Sequence, residues 1–525
     1  MKAWTGRLYP FFIALVPILN YAARNPGQYG SGDLALMVAL AVVGCAAIYA
    51  LAAAALRHRG PASLAPFIVL LAVGWAYGYN QAVVKLSGAR PLHALMIVAV
   101  VAVSVALVSW IRRRERLLDG MGRFLTLMSA LLVIYAGVQI TTGWLRGRQA
   151  IEQSALAARL AQPIPGPATV PGPKRDIYLI VLDEYANSSV LRERFGYDNR
   201  PFEDSLRALG FYVPPVVRSN YVHTLLSLPS LLNTAHLVEL EKELGPESKH
   251  PALPNYILEH SRVAAYLERR GYHYVFFPSQ WWHSTSSSVV ADSQFSAWRG
   301  FDLTRSLTGG ELQRTVRGAS ILRYLDQDHG WEAAHVRRTL RGVATLPRSD
   351  TEPVFAFAHV VKPHTPYVFD GNCETLERGP ENDDRGPYLD QVKCVNRMLL
   401  ATVRKILQES RVEPIILLQG DHGTKLLNAT GYRNVNGVTP AAARERVGAF
   451  GAYYLPDSGA KAFGDTVTVV NVLGNVLRHY FQADLPRAGD EQYISLAVSP
   501  YEFRRVDARW LAGDDSAGTA LRAGR

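Results

Sequence analysis

Three polar clusters in this chain follow short apolar runs, and their residue types suit a divalent cation. Asp183-Glu184 comes directly after Ile177–Leu182. His359 and His364 stand in His359-Val-Val-Lys-Pro-His364-Thr-Pro-Tyr367, at the end of Val354–Ala358. Gly420-Asp421-His422-Gly423 lies just past Ile415–Leu418. Carboxylates and imidazoles gathered on one ion form the mixed O/N donor set that suits Zn2+ or Mn2+. A fourth stretch, Ser219-Asn-Tyr-Val-His223-Thr224-Leu-Leu-Ser227-Leu-Pro229, supplies a nucleophile. A hydroxyl at a helix N-terminus beside a cation ionises more readily, because metal and helix dipole both stabilise the alkoxide. Each feature alone has an ordinary explanation. An Asp after a strand commonly caps a helix, and Thr224 by itself reads as an N-cap. Asp-His-Gly reads as a turn, and a His before Thr-Pro as a loop residue. Their shared position at strand ends of one domain is what favours a site.

The elements that would hold these clusters alternate in type. Ile177–Leu182 is an unbroken apolar run rich in β-branched and aromatic residues, which predicts a buried parallel strand. Tyr272–Phe277, Val354–His359 and Pro414–Leu418 read the same way. Phe202–Leu209 and Val263–Arg270 are amphipathic, and Val392–Leu407 is a longer helix. Strand–helix alternation predicts an α/β domain with a mostly parallel central sheet, helices on both faces and ligands at the strands' carboxyl ends.

The first part of the chain differs in kind. Five apolar stretches have the ~20 residues that a bilayer crossing needs. They are Leu8–Ala23, Leu34–Leu56, Leu64–Val84, Leu92–Ile111 and Phe124–Trp144. The first is short and contains Pro10 and Pro17, and a cleaved signal peptide is its alternative reading. Arginines and lysines concentrate in alternate loops: Lys2 and Arg7, then Arg57 and Arg59, then Arg112, Arg113, Arg114, Arg116 and Arg123. By the positive-inside rule those loops are cytoplasmic, and an odd number of spans places everything after Trp144 outside. The expected organisation is therefore a five-helix transmembrane domain over 1–145 and an amphipathic, then Pro/Gly-rich, linker over 146–174. An extracytoplasmic catalytic domain over 175–500 and a fraying tail over 501–525 complete it. The net charge of +11 is spread along the chain, which fits membrane topology and anionic headgroups better than a nucleic-acid groove.

From about residue 175 to 480 the chain resembles the alkaline-phosphatase/sulfatase superfamily, and within it the membrane-bound phosphoethanolamine transferases and lipoteichoic acid synthases. The resemblance rests on the strand-terminal acid Asp183, on Thr224-Leu-Leu-Ser227-Leu-Pro229, on His364-Thr-Pro-Tyr and on Asp421-His422-Gly423, in that order, behind a five-span anchor. It implies a sulfatase-like fold and a metal held by Asp183, Thr224, Asp421 and His422. It further implies Thr224 as nucleophile and His364, with His359 as the weaker choice, on the substrate phosphate. Asp183 replaces the usual Glu. The second substrate-binding His expected after Asp-His-Gly is missing, since 424–454 holds none, and Arg433, Arg444 and Arg446 are the cations available there. No C/S-x-P-x-R motif is present, which argues against sulfate-ester hydrolysis. Glu184 is left open as a group supporting the ligands or an extra ligand, and His223 as a supporting or a structural residue.

Three further features bear on function. Cys373 and Cys394 are expected to form a disulfide, as such pairs do outside the cytoplasm. The loop between them carries Glu374, Glu377, Glu381, Asp383 and Asp384, a solvated acidic face. Trp281, Trp282 and Trp298 fit either docking on headgroups or sugars, or core packing. Together these readings predict a metal-dependent transferase that moves a phospholipid-derived headgroup, phosphoethanolamine or phosphoglycerol, onto an envelope glycan or lipid. A phospho-threonine intermediate carries the group. A phosphodiesterase or phosphatase, and a catalytically silent lipid-sensing regulator, are the alternatives.

Overall fold

The computed structural model describes residues 8–27, 29–56, 115–279, 285, 287–295, 330–346, 352–376, 385–425, 432 and 434–513. The chain divides into two units, Met1–Arg146 with Phe301–Gln327, and Gly147–Gly300 with Asp328–Arg525.

In the first unit, α1 (Tyr9–Arg24) has Pro10 in its first turn, where proline costs no hydrogen bond, and Pro17 inside. Helix α2 covers Ser31–Leu56 and α3 covers Glu115–Gln153. Two stretches among the described residues, Ser31–Leu51 and Gly120–Gln153, are long and apolar enough to cross a bilayer. Their large side chains face outward: Leu51, Phe124, Ile134 and Tyr135 are all more than half exposed. Such an apolar surface is stable only under lipid or protein cover. The expected spans Leu64–Val84 and Leu92–Ile111 lie outside the described residues.

The second unit is built on a seven-stranded sheet of order β2-β8-β7-β1-β6-β4-β5. Its strands are β1 (Ile177–Leu182), β2 (Phe211–Tyr212), β4 (His273–Phe277), β5 (Ser293–Gln294), β6 (Val354–Val360), β7 (Ile415–Gly420) and β8 (Gly451–Tyr454). β1 pairs in parallel with β6 and β7, and β6 in parallel with β4, whereas β8 runs antiparallel to β7. The mostly parallel sheet is thus as its apolar runs predict. All six residues of β1 are buried because both faces are covered. Tyr178, Ile180 and Leu182 enter one core with Ala356, Ala358, Ile416 and Leu418. Ile177, Leu179 and Val181 enter the opposite core with Phe355, Phe357, Ile415 and Leu417. That second face is covered by α5 (Thr224–Asn233), through Leu228, Leu231 and Leu232.

Two expected boundaries shift. The segment taken as linker is packed: α4 (Ala155–Leu160) is capped by Ser154 and buries Leu156, Ala157 and Leu160, and Ile164 is buried beyond it. The segment taken as tail is structured to residue 513, since β11 (Ser499–Arg505) pairs with β10 (Tyr493–Leu496) and Trp510 is buried after them. The Arg, Ala and Asp content of that stretch conceals Tyr501, Val506 and Trp510, which anchor it. Two small strands, β3 (Val216–Arg218) and β9 (Thr466–Thr468), pair separately beside α5. The remaining helices used below are α6 (Gly330–Ala344), α7 (Arg385–Glu409) and α8 (Pro440–Val447).

Candidate metal and phosphate site

The period of two along a strand decides which residues meet at the end of this sheet. His359 faces the same side as Phe355 and Phe357, the side covered by α5. The ladder extends one residue past β1 and β7: Asp183 N–H donates to Val360 O at 3.1 Å, and Asp421 N–H to Leu182 O at 3.2 Å. Both acids share the parity of His359, and the three side chains offer ligand atoms within 4.8 Å of one another. All three are buried.

Thr224 and His422 complete this group. Thr224 is the first residue of α5, and His223, in an extended conformation, is the N-cap. The hydroxyl of Thr224 therefore does not cap its helix. It lies 3.3 Å from His422 Nε2, at the positive end of the helix dipole. His422 Nε2 is 3.4 Å from Asp421 Oδ2 and 3.9 Å from Asp183 Oδ1. The chain can turn there only because residue 423 is glycine: a Cβ would lie 2.0 Å from Glu445 O.

The donor set fits a divalent cation. Asp183 Oδ1, Asp421 Oδ2 and His359 Nε2 are buried with no hydrogen-bond partner, a cost that an ion relieves. His422 Nδ1 donates to Gly423 O at 2.9 Å, and His359 Nδ1 lies 3.3 Å from Thr285 Oγ1. Each ring thereby turns its Nε2 lone pair toward the carboxylates, the usual arrangement of ligating imidazoles. Burial, with Asp421 and Glu184 nearby, holds the Asp183 carboxyl well above its usual range. Burial raises Asp421 to about 7. Burial lowers His359 to about 3 and His422 far below its usual value, so both imidazoles are neutral. Neutral imidazoles and crowded carboxyls are what a cation needs and what its absence makes costly.

A second group faces the first. His364 Nε2 is 3.4 Å from Lys425 Nζ, which is 3.3 Å from Glu184 Oε1. Arg446 Nη1 lies 3.5 Å from the same Glu184 oxygen, and Arg446 Nη2 reaches Val222 O and, at 3.3 Å, His223 Nδ1. Burial opposes ionisation of Glu184, but the surrounding cations outweigh it and bring its carboxyl down to about 2. Burial also lowers His364 and takes His223 to about 3. His364, Lys425, His422 and Arg446 are the groups that lower the Glu184 carboxyl. Two cations and two imidazoles beside a hydroxyl form a cradle for a phosphate group.

The loop carrying His364 is clamped from behind. Lys362 is fully buried, its Nζ 2.5 Å from Glu332 Oε1 on α6 and 3.0 Å from Pro366 O. Gln391, on α7, donates to Pro363 O and His364 O, both at 3.1 Å.

The structure thus brings together Asp183, Thr224, His359, Asp421 and His422, and beside them Glu184, His223, His364 and Arg446. His359, expected on the substrate, sits instead with the two acids that could hold a metal, because strand parity carries it to their face. Arg444 turns away and donates to Trp510 O, while Arg433, Trp281, Trp282 and Trp298 lie outside the described residues. Cys373 and Cys394 are joined, and Arg337 holds the Cys373 carbonyl at 2.6 Å. Sequence reading missed Lys425, although it stands four residues after Asp421, and it missed Lys362 and Thr285. Lys425 had a usable signal, a cation just past a strand-terminal motif; the other two had none.

The family model described as Sulfatase matches residues 175–458. No curated protein matches the chain. Among solved structures, the C-terminal periplasmic domain of EcEptC from Escherichia coli in complex with Zn is similar at 11% identity. That match covers 67% of this chain and 98% of that one, with a TM-score of 0.45. Lipooligosaccharide phosphoethanolamine transferase A from Neisseria meningitidis is similar at 13% identity over 96% and 99% of the two chains, with a TM-score of 0.35. The lipoteichoic acid synthase LtaP from Listeria monocytogenes is similar at 9% identity over 66% and 83%, with a TM-score of 0.37.

Proposed function

The chain belongs to the sulfatase family, and from that premise we propose that it is a metal-dependent phosphotransferase acting on a phospholipid headgroup at the outer face of a bacterial cytoplasmic membrane. The observation that carries this reading is Thr224, a hydroxyl at a helix N-terminus 3.3 Å from His422 Nε2 and set against two buried carboxylates. Asp183, Asp421, His422, His359 and Thr224 would hold the cation, Zn2+ or Mn2+. When bound it supplies Lewis acidity and lowers the pKa of the hydroxyl.

The chain's own groups do the rest. Thr224 Oγ attacks the phosphorus of the headgroup diester, the bond to diacylglycerol breaks, and the headgroup stays on the threonine. The hydroxyl proton leaves Thr224, and the departing diacylglycerol oxygen takes up a proton. A hydroxyl of an envelope glycan or lipid then attacks the phospho-threonine and restores the enzyme. Lys425 and Arg446 meet the phosphate oxygens as charge builds on them, and His364, clamped by Lys362 and Gln391, is aimed at the same group. The two bilayer-length helices support a lipid donor, since an anchor holds the site within reach of headgroups.

The test is intact-mass analysis of purified protein, wild type beside Thr224→Ala, after incubation with mixed bacterial phospholipids. A mass gain on wild type alone, matching phosphoethanolamine or phosphoglycerol, supports the reading and identifies the donor. Metal-loaded wild type with neither an adduct nor diacylglycerol release refutes it, and diacylglycerol release without an adduct points to hydrolysis.

A further inference from the structure

The phosphate cradle contains a carboxylate, which is an unexpected group to place where an anion binds. Glu184 is buried, and its side chain pairs with Lys425 and Arg446, the two cations of the cradle among the described residues. Its position is fixed from several sides. Its φ of 59° is in the left-handed region, which turns its side chain away from the run of the strand. Its N–H donates to Asp421 Oδ1 at 3.1 Å, and its carbonyl accepts from Tyr388 Oη at 2.8 Å. A backbone held in this way keeps the carboxylate in the cradle.

The charges then decide what the cradle accepts. Asp183 and Asp421 balance a divalent cation. Among the described side chains that pair directly in the cradle, Lys425 and Arg446 add two positive charges and Glu184 removes one, leaving a single positive charge for the incoming group. A phosphodiester carries one negative charge, whereas a phosphomonoester or inorganic phosphate titrates near neutrality and carries about 1.5 to 2 at and just above pH 7. The second charge of a monoester would be buried without a partner, and buried unpaired charge is costly. We propose that Glu184 is a specificity-determining residue that matches the pocket to singly charged phosphodiesters and excludes phosphomonoesters and free phosphate. The inference rests on the phosphotransferase reading above.

The test is equilibrium binding, by calorimetry, of two inert probes to the full-length metal-loaded protein in detergent. Phenylphosphonate is doubly charged at mildly alkaline pH; diphenylphosphinate is singly charged. Metal content is measured alongside to establish that each variant keeps its ion. Glu184→Gln preserves shape and removes the charge. Because each probe charge gains equally, the preference for phenylphosphonate over diphenylphosphinate rises by roughly tenfold or more. Lys425→Met removes a positive charge and shifts the same ratio in the opposite direction. Binding of both probes with a ratio that neither variant moves overturns the role of Glu184 alone. No binding of either probe by any of the three proteins removes the phosphate cradle, and with it the phosphotransferase reading.

Discussion

Replacing Lys362 by methionine isolates the clamp behind the loop that carries His364. Lys362 Nζ is 2.5 Å from Glu332 Oε1, 3.0 Å from Pro366 O and 3.4 Å from His364 O, and the side chain is wholly buried. Methionine fills most of the same volume, so the change removes charge and hydrogen bonds with little cavity. Glu332, 15% exposed, is left as a largely buried carboxylate without its ion-pair partner among the described residues. Breaking a buried pair in this way costs about 3–5 kcal/mol. The orphaned carbonyls of Pro366 and His364 belong to the same network, so their loss is contained in that figure and does not add to it. Pairing the change with Glu332→Leu removes the stranded charge and recovers most of the loss, leaving about 1–2 kcal/mol from the carbonyls. The assay is thermal denaturation of the metal-loaded protein, wild type and three variants, read as a double-mutant cycle. At roughly 2 °C per kcal/mol, Lys362→Met lowers the midpoint by about 6–10 °C. Headgroup transfer by the same variant shows a raised KM, because His364 loses its support. A fall of less than about 1 kcal/mol, or a double variant no more stable than Lys362→Met, would show that the pair is not the brace described.

Four other outcomes follow from the structure. Chelation lowers the midpoint of the wild type, and Zn2+ or Mn2+ restores it, since a ligand at about a thousand times its Kd adds about 4 kcal/mol. In the chelated protein the Asp421 carboxyl, raised to about 7, makes stability increase as pH falls from 7 toward its unfolded value. The buried His359, His422 and His223, held neutral, act the other way below about pH 6.5, so the gain is read as the difference in melting midpoint between wild type and Asp421→Asn; a difference that does not narrow as pH falls through 7 contradicts the raised carboxyl. Thr285→Val removes the acceptor at 3.3 Å from His359 Nδ1 and weakens metal binding by about 10–100-fold in a competition titration, while Thr285→Ser restores it. Reducing the Cys373–Cys394 bond, which closes a separation of 21 residues, costs about 3 kcal/mol in melting experiments with and without reductant.

Local pattern alone determined the skeleton of this protein. Ile177–Leu182, Val354–Ala358 and Ile415–Leu418 could only be strands buried on both faces, because so many consecutive apolar residues leave no polar side for solvent. The residues just past them then had to meet at one end of a parallel sheet, which makes Asp183, Asp421 and His422 legible as a cluster from residue order alone. Thr224 was legible through its spacing to Ser227 and Pro229 and the resemblance they carry.

Tertiary structure decided everything that depends on two distant segments meeting. Glu332 and Lys362 lie 30 residues apart, His364 and Lys425 61, and Thr285 and His359 74, so no periodicity links them. Arg444 and Arg446 are the same residue type on one short helix, yet residues two apart point in different directions. Only the docking of α8 sends Arg446 to Glu184 and Arg444 to the Trp510 carbonyl. Burial carries the same lesson: the sequence places His359 near the site, but the face it occupies, beside Asp183 and Asp421, follows from strand register and from which helix covers that face.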